Sequence, residues 1–291
     1  MLDDVIMHDV NLFAVSDLHI NYPENCTLAA DLQSSSPDDW LIVAGDISDK
    51  IGDVAWLLGL LRKRFSQVFW TPGNHELWAK PEGGATISGE ARYRHLVDIC
   101  RSIGVTTPED PYLTWHWRGE DIIIAPLFLL YDYTFNAEGV SSSKAVAQAS
   151  ASGVVCMDEF LLSPEPYPDR ETWCAQRLRY TRARLDVLSN RKRTLLFSHW
   201  PLHVAPTRRL KYPEFAIWCG TRQTEDWHRK YRAAVVIYGH LHIPGTEWID
   251  NVKLEEVSLG YPWERTQVCS SDTITLRQIF PSPSSESGGS L

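Results

Sequence analysis

The 291-residue chain contains no C-x-x-C pair: its six cysteines, Cys26, Cys100, Cys156, Cys174, Cys219 and Cys269, are scattered. That spacing excludes a zinc knuckle and a small disulfide scaffold, and predicts reduced thiols, several of them core filler. No apolar run approaches the length that crosses a bilayer. The start, MLDDVIMHDVNLFAV, carries acids where a secretory leader needs bases. A cytoplasmic protein with no membrane partner is therefore expected. Positive charge is short as well, with 28 Lys and Arg against 37 Asp and Glu and a formal net charge of −9. Gripping a nucleic-acid backbone rests on clustered cations, so no nucleic-acid partner is expected. Internal repeats are absent. With 44% apolar and 22% charged residues, the chain has the make-up of a globular protein of one large domain or two modest ones.

Short β-rich apolar runs recur at 11–15, 41–44, 67–70, 122–125, 194–197 and 234–238. Between them, apolar residues at helical spacing predict helices over 49–65, 89–103 and 173–188, the second stopped by Gly104. Strands alternating with helices give an α/β class. Thr246 to Phe280 reads as strand-rich and without a helix. Residues 127–170, small and polar and then proline-rich, predict a surface insertion in a domain spanning 1–280, and 281–291 a disordered tail. Arg177, Arg179, Arg182 and Arg184 around the third helix read as a solvated face.

Five of the apolar runs end in chemically loaded residues: Asp17-Leu18-His19, Gly45-Asp46, Gly73-Asn74-His75, Ser198-His199 and Gly239-His240-Leu241-His242. In extended chain, residues i and i+2 point to one side, so Asp17 with His19, and His240 with His242, can each reach a shared point. Asp17, His19, Asp46, Asn74, His199, His240 and His242 offer four imidazoles, two carboxylates and one amide oxygen. Such donors suit Mn, Fe, Zn or Ni. Seven ligands exceed one tetrahedral site and suit two divalent ions about 3.5–4 Å apart, bridged by a carboxylate.

The ordered set D-x-H, G-D-x-x-D, G-N-H-E, a lone His after a strand, and G-H-x-H, running from residue 17 to 242, resembles the calcineurin-like metallophosphoesterase superfamily. The resemblance implies an α/β (α+β) four-layer fold, a two-sheet β sandwich flanked by helices with a dinuclear site at one end. It also implies that Asp17, His19, Asp46 and His242 hold one ion and Asp46, Asn74, His199 and His240 the other, with Asp46 as the catalytic bridge and manganese the first choice. His75 becomes the acid that protonates the leaving alkoxide after attack by metal-bound hydroxide. Glu76 or Asp49 is available to orient it, although Asp49 reads better as the cap of the following helix.

The expected substrate is a small-molecule phosphomonoester. The alternatives are a phosphodiester, cyclic nucleotide or other small diester before nucleic acid, and a non-enzymatic interaction module on the same fold. The loop 203–222 supplies candidate substrate contacts in His203, Arg208, Arg209, Lys211 and Arg222, with Tyr212, Phe215 and Trp218 to pack on the rest of the molecule. After Asp49 the chain reads Lys50-Ile51-Gly52 where the protein Ser/Thr phosphatase branch has Arg-Gly, which argues against that activity. His95 reads as a surface residue, and His8, His116 and His228 take no role. Oligomeric state is left open.

Overall fold

Apolar residues on both faces of a short run can be satisfied only by burial on both sides. The computed structural model describes residues 10–79, 87–117, 119–188, 192–265 and 276–281. Within them, ten strands form: β1 (Leu12–Val15), β2 (Trp40–Val43), β3 (Gln67–Trp70), β4 (Leu113–Trp117), β5 (Glu120–Pro126), β6 (Arg193–Phe197), β7 (Ala233–Tyr238), β8 (Gly245–Ile249), β9 (Val252–Glu256) and β10 (Arg277–Phe280). One sheet runs β10-β1-β2-β3, with β1, β2 and β3 parallel and β10 antiparallel. The other runs β4-β5-β6-β7-β9-β8, with β5, β6, β7 and β9 parallel and an antiparallel strand at each edge.

The period-2 alternation of each strand builds the layers. Ile42, Phe69, Leu195, Phe197, Val235 and Ile237 meet in the core between the sheets. Their neighbours Leu41, Val43, Val68, Trp70, Leu196 and Val236 pack on the other side with residues from the helices Ile51–Arg62, Gly89–Ser102 and Arg170–Asp186. The result is a two-sheet sandwich flanked by helices. Gly104, at φ +77, ends the second helix with its N–H donating to the Arg101 carbonyl.

Several expectations need correction. Residues 127–170 are only in part a surface excursion: Leu127 to Tyr131, Tyr133 and Phe135 are buried, because this stretch prolongs β5 with apolar side chains before the small polar residues begin. Of the arginines assigned to a solvated face, Arg177 is buried, donating to Glu109 at 2.7 Å and to the Phe128 carbonyl at 3.2 Å. Lys50, not Asp49, occupies the N-cap position before Ile51. A one-turn helix, Pro262–Arg265, interrupts the strand-rich last part. Residues 282–291, His8 and Cys269 lie outside the described residues. Among the described residues, no helix is long and apolar enough to cross a membrane, and Cys26, Cys100, Cys156, Cys174 and Cys219 are free thiols.

Candidate metal centre

Because β1, β2 and β3 are parallel, as are β6 and β7, the chain leaves each sheet at one edge, and the loaded residues follow the carboxyl ends of those strands. Five of them leave through the left-handed region: Asp17 (φ 53), His19 (φ 43), Asp46 (φ 55), His240 (φ 70) and His242 (φ 55). A non-glycine residue held there costs about 1–3 kcal/mol, so it persists only where the surroundings over-determine it. Here the backbone does so: Asp17 N–H donates to the Gly45 carbonyl and His19 N–H to the Asp46 carbonyl, each at 3.0 Å. Two glycines allow the close approach. A Cβ on Gly73 would lie 2.1 Å from Asp46 Oδ1, and one on Gly239 would lie 2.2 Å from Asp17 Oδ2.

The donor atoms form two groups. In the first, His19 Nε2 lies 3.1 Å from His242 Nε2, which is 3.0 Å from Asp17 Oδ1. In the second, His199 Nε2 lies 3.2 Å from Asn74 Oδ1 and 3.1 Å from His240 Nδ1. Asp46 reaches both, with Oδ2 3.5 Å from His199 Nε2 and a carboxylate oxygen within 4.8 Å of a His19 ring nitrogen. His199 Nδ1 is 2.9 Å from the Ala44 carbonyl and His242 Nδ1 2.8 Å from Glu264 Oε2. Each Nδ1–H therefore donates outward and turns Nε2 inward: in His199 that atom offers its lone pair, whereas in His242 it carries a proton toward Asp17 that a bound cation would displace. Facing lone pairs repel, yet donors about 3 Å apart are what two ligands adopt around one ion at 2.0–2.1 Å.

The charges agree with that reading. Asp17, His19, Asp46 and His199 are all buried. Burial, then the Glu76 and Asp17 carboxylates, raises the Asp46 carboxyl well above its ordinary range. Burial and the neighbouring His242 push His19 down to about 3. Burial opposes the His242 imidazolium, but Asp17 and Glu264 raise it to about 10. Carboxylates and imidazoles so crowded and dry fit a divalent-metal site: the donor atoms of Asp17, His19 and His242, of His19, Asp46 and His75, and of Asp17, Asp46 and His199 each lie within 4.8 Å of one another.

Several supporting residues carry no sequence signal. Asp158, fully buried, accepts from Asn74 Nδ2 at 2.9 Å and Trp78 Nε1 at 2.7 Å, which turns the Asn74 oxygen toward His199. Ser258 Oγ donates to Asp17 Oδ2 at 2.7 Å. Glu264 accepts from His242 and from Tyr261 N–H. Both Ser258 and Glu264 lie beyond the last motif, where spacing offers no cue. Glu76 does something other than orient His75: it accepts from the N–H groups of Asp46 (2.9 Å), Ile47 (2.7 Å) and Gly73 (2.9 Å), locking two ligand-bearing turns together.

His75 packs its ring on Trp78 with centroids 3.7 Å apart, and its Nε2 lies 3.4 Å from the Tyr261 hydroxyl. Burial, then the His19 and His242 rings, lowers its proton affinity well below the ordinary range. The expected substrate contacts have the following surroundings. Arg222 donates to the Thr134 and Asn136 carbonyls and pairs with Glu225. His203 Nδ1 accepts from Ala205 N–H at 3.0 Å. Arg208, Arg209 and Lys211 are exposed, Arg209 beside Gly245. Of the loop aromatics, Phe215 stacks on His240 with centroids 5.7 Å apart, whereas Trp218 is buried and donates to Glu159.

Comparison with known proteins agrees with the geometry. The family model for calcineurin-like phosphoesterases matches residues 10–244. The chain is 50% identical over 275 residues to the [acyl-carrier-protein] phosphodiesterase PptH of Mycobacterium tuberculosis, covering 94% of this chain and 84% of that protein. It also superimposes on the crystal structure of phosphopantetheinyl hydrolase (PptH) from the same organism with a TM-score of 0.90, covering 94% of this chain and 97% of the other.

Proposed function

The chain belongs to the calcineurin-like phosphoesterase family, and on that premise we propose that it hydrolyses a phosphodiester, freeing a phosphopantetheinyl group from a carrier protein. The observation that carries this reading is the 50% identity, over 94% of the chain, to an acyl-carrier-protein phosphodiesterase. The small-molecule monoester expected from the sequence lacks such support. A monoester dianion would benefit from cationic donors, and Arg222 is already engaged by Thr134, Asn136 and Glu225. A diester, with one negative charge, needs that help less.

Two divalent transition-metal ions bound by the seven ligands would polarise a phosphoryl oxygen and acidify water; Mn, Fe, Zn and Ni all suit these donors. Asp46, which reaches both donor groups, would serve both. Asn74 contributes an oxygen without charge, so two carboxylates alone offset two dications and the site keeps a positive surplus for an anion. In the overall reaction a phosphorus–oxygen bond forms to water and the one to the leaving alkoxide breaks. Water loses one proton to solvent, and His75, recharged each turnover, gives one to the alkoxide. Since the phosphoryl group departs with pantetheine, the leaving oxygen belongs to the carrier. An anion bound beside His75 favours the protonated ring that its dry surroundings disfavour.

The reading is tested on matched esters, methyl p-nitrophenyl phosphate and p-nitrophenyl phosphate, with the metal-loaded protein. A kcat/KM ratio favouring the diester, lost on chelation, is expected. A ratio favouring the monoester would return the enzyme to the phosphatase class.

A further inference from the structure

The strap that follows β9, residues 258–265, ends in an aromatic stack. Its backbone is fixed by Leu259 N–H donating to the Ser16 carbonyl at 2.8 Å and Gly260 N–H to the Asp17 carbonyl at 3.2 Å. Tyr261 lies on the His19 ring with centroids 4.4 Å apart and planes inclined by 23°, and its hydroxyl reaches to 3.4 Å from His75 Nε2. Trp263 stacks in turn on Tyr261 at 4.7 Å and 16°. Tyr22, from the loop after His19, meets both rings edge-on at 5.6 and 5.3 Å. Trp263 is 54% exposed. The stack thus leads from His75 out to the surface.

We propose that this ledge of Tyr22, Tyr261 and Trp263 seats the leaving-group side of the diester, and that its occupant is the carrier polypeptide flanking the ester oxygen. The inference rests on the function proposed above. His75 marks where the leaving oxygen must be, and the ledge begins at that residue. A polypeptide is the matching occupant because the departing alcohol belongs to the carrier. Trp and Tyr offer it a large, rigid contact with few torsions to freeze, which is why such side chains dominate binding energy at protein interfaces. The ledge is already stacked and its strap hydrogen-bonded, so little ordering is left for binding to supply.

The test compares wild type, Trp263→Ala and Trp263→Phe on holo acyl carrier protein and on methyl p-nitrophenyl phosphate. In Trp263→Ala, kcat/KM for the carrier should fall ~10–100-fold further than for the small diester, mostly through KM, as for an interface hot spot. Trp263→Phe should recover most of the loss. Equal falls on both substrates would make Trp263 a prop for Tyr261 and overturn the ledge. So would carrier hydrolysis unaffected by Trp263→Ala. Wild-type enzyme that cleaves the small diester but leaves the carrier intact would overturn the proposed function itself, and the ledge with it.

Discussion

Asp158 shows how a single side chain governs a ligand it never replaces. Asn74 has two chemically distinct ends, and only a fixed acceptor for its NH₂ group keeps the oxygen inward; Asp158 is that acceptor. Removing it frees the amide to rotate and takes one hydrogen bond from Trp78 Nε1 as well. Asp158→Ala should therefore weaken metal binding by about 10–100-fold, the usual effect of losing a residue that orients a ligand. Asp158→Asn, which retains an acceptor oxygen, should lose much less. Metal titration of both variants decides the matter, and equal affinity in Asp158→Ala and wild type would contradict it. The candidate ligands were legible because each follows the end of an apolar run, all but His199 beside a glycine or a motif partner. Asp158 was not, since it falls within a segment whose composition reads as surface loop, and a contact spanning 84 residues leaves no trace in spacing.

Among the elements, the helix Arg170–Asp186 carries the sharpest lesson. Arg177 sits on the same stripe as Cys174, Leu178 and Thr181, all buried. Its charge led to the expectation of solvent, whereas its spacing from these residues fits the buried side of the helix. Once buried it required a partner, and Glu109 provides one, accepting also from Tyr93 at 2.7 Å and Arg94 at 3.0 Å. Burial works against the Glu109 carboxylate, but Arg177 and the Tyr93 hydroxyl bring it from an ordinary 4.5 to about 2. A folded value below the unfolded one means that the folded state binds its proton later. The stabilisation is complete above pH 4.5 and disappears as pH falls toward 2. Reduced for the solvent that screens the partly exposed cluster, it amounts to roughly 1–2 kcal/mol. Thermal melts of wild type should consequently fall more steeply between pH 5 and pH 3 than those of Glu109→Gln. Parallel slopes would show that the pair does not report on folding.

Taken whole, the molecule is a sandwich whose two sheets deliver their parallel strand ends to one edge; the buried strands and their loaded ends could be read from the residues, whereas the two-sheet arrangement was implied by the family resemblance. Short runs such as LIV in β2 and VFW in β3 are apolar on both faces and end in turn residues, a pattern that only a doubly covered strand explains. The edge strand β4 escaped because it is partly exposed and mixes polar with aromatic residues, while β8 was legible only as part of the strand-rich stretch from Thr246 to Phe280. Substrate class escaped for another reason: exposed arginines carry the same letters whether they meet a phosphate or water, and the ledge of Tyr22, Tyr261 and Trp263 joins two segments far apart in the chain.

The most direct measurement is the mass of a holo acyl carrier protein incubated with the metal-loaded enzyme, with and without a chelator. Our account predicts that the carrier loses the mass of a phosphopantetheinyl group, that chelation abolishes the loss, and that Asp46→Asn, which weakens the carboxylate reaching both donor groups, slows it more than any other single ligand change. A carrier that keeps its mass while the same enzyme hydrolyses p-nitrophenyl phosphate would contradict it.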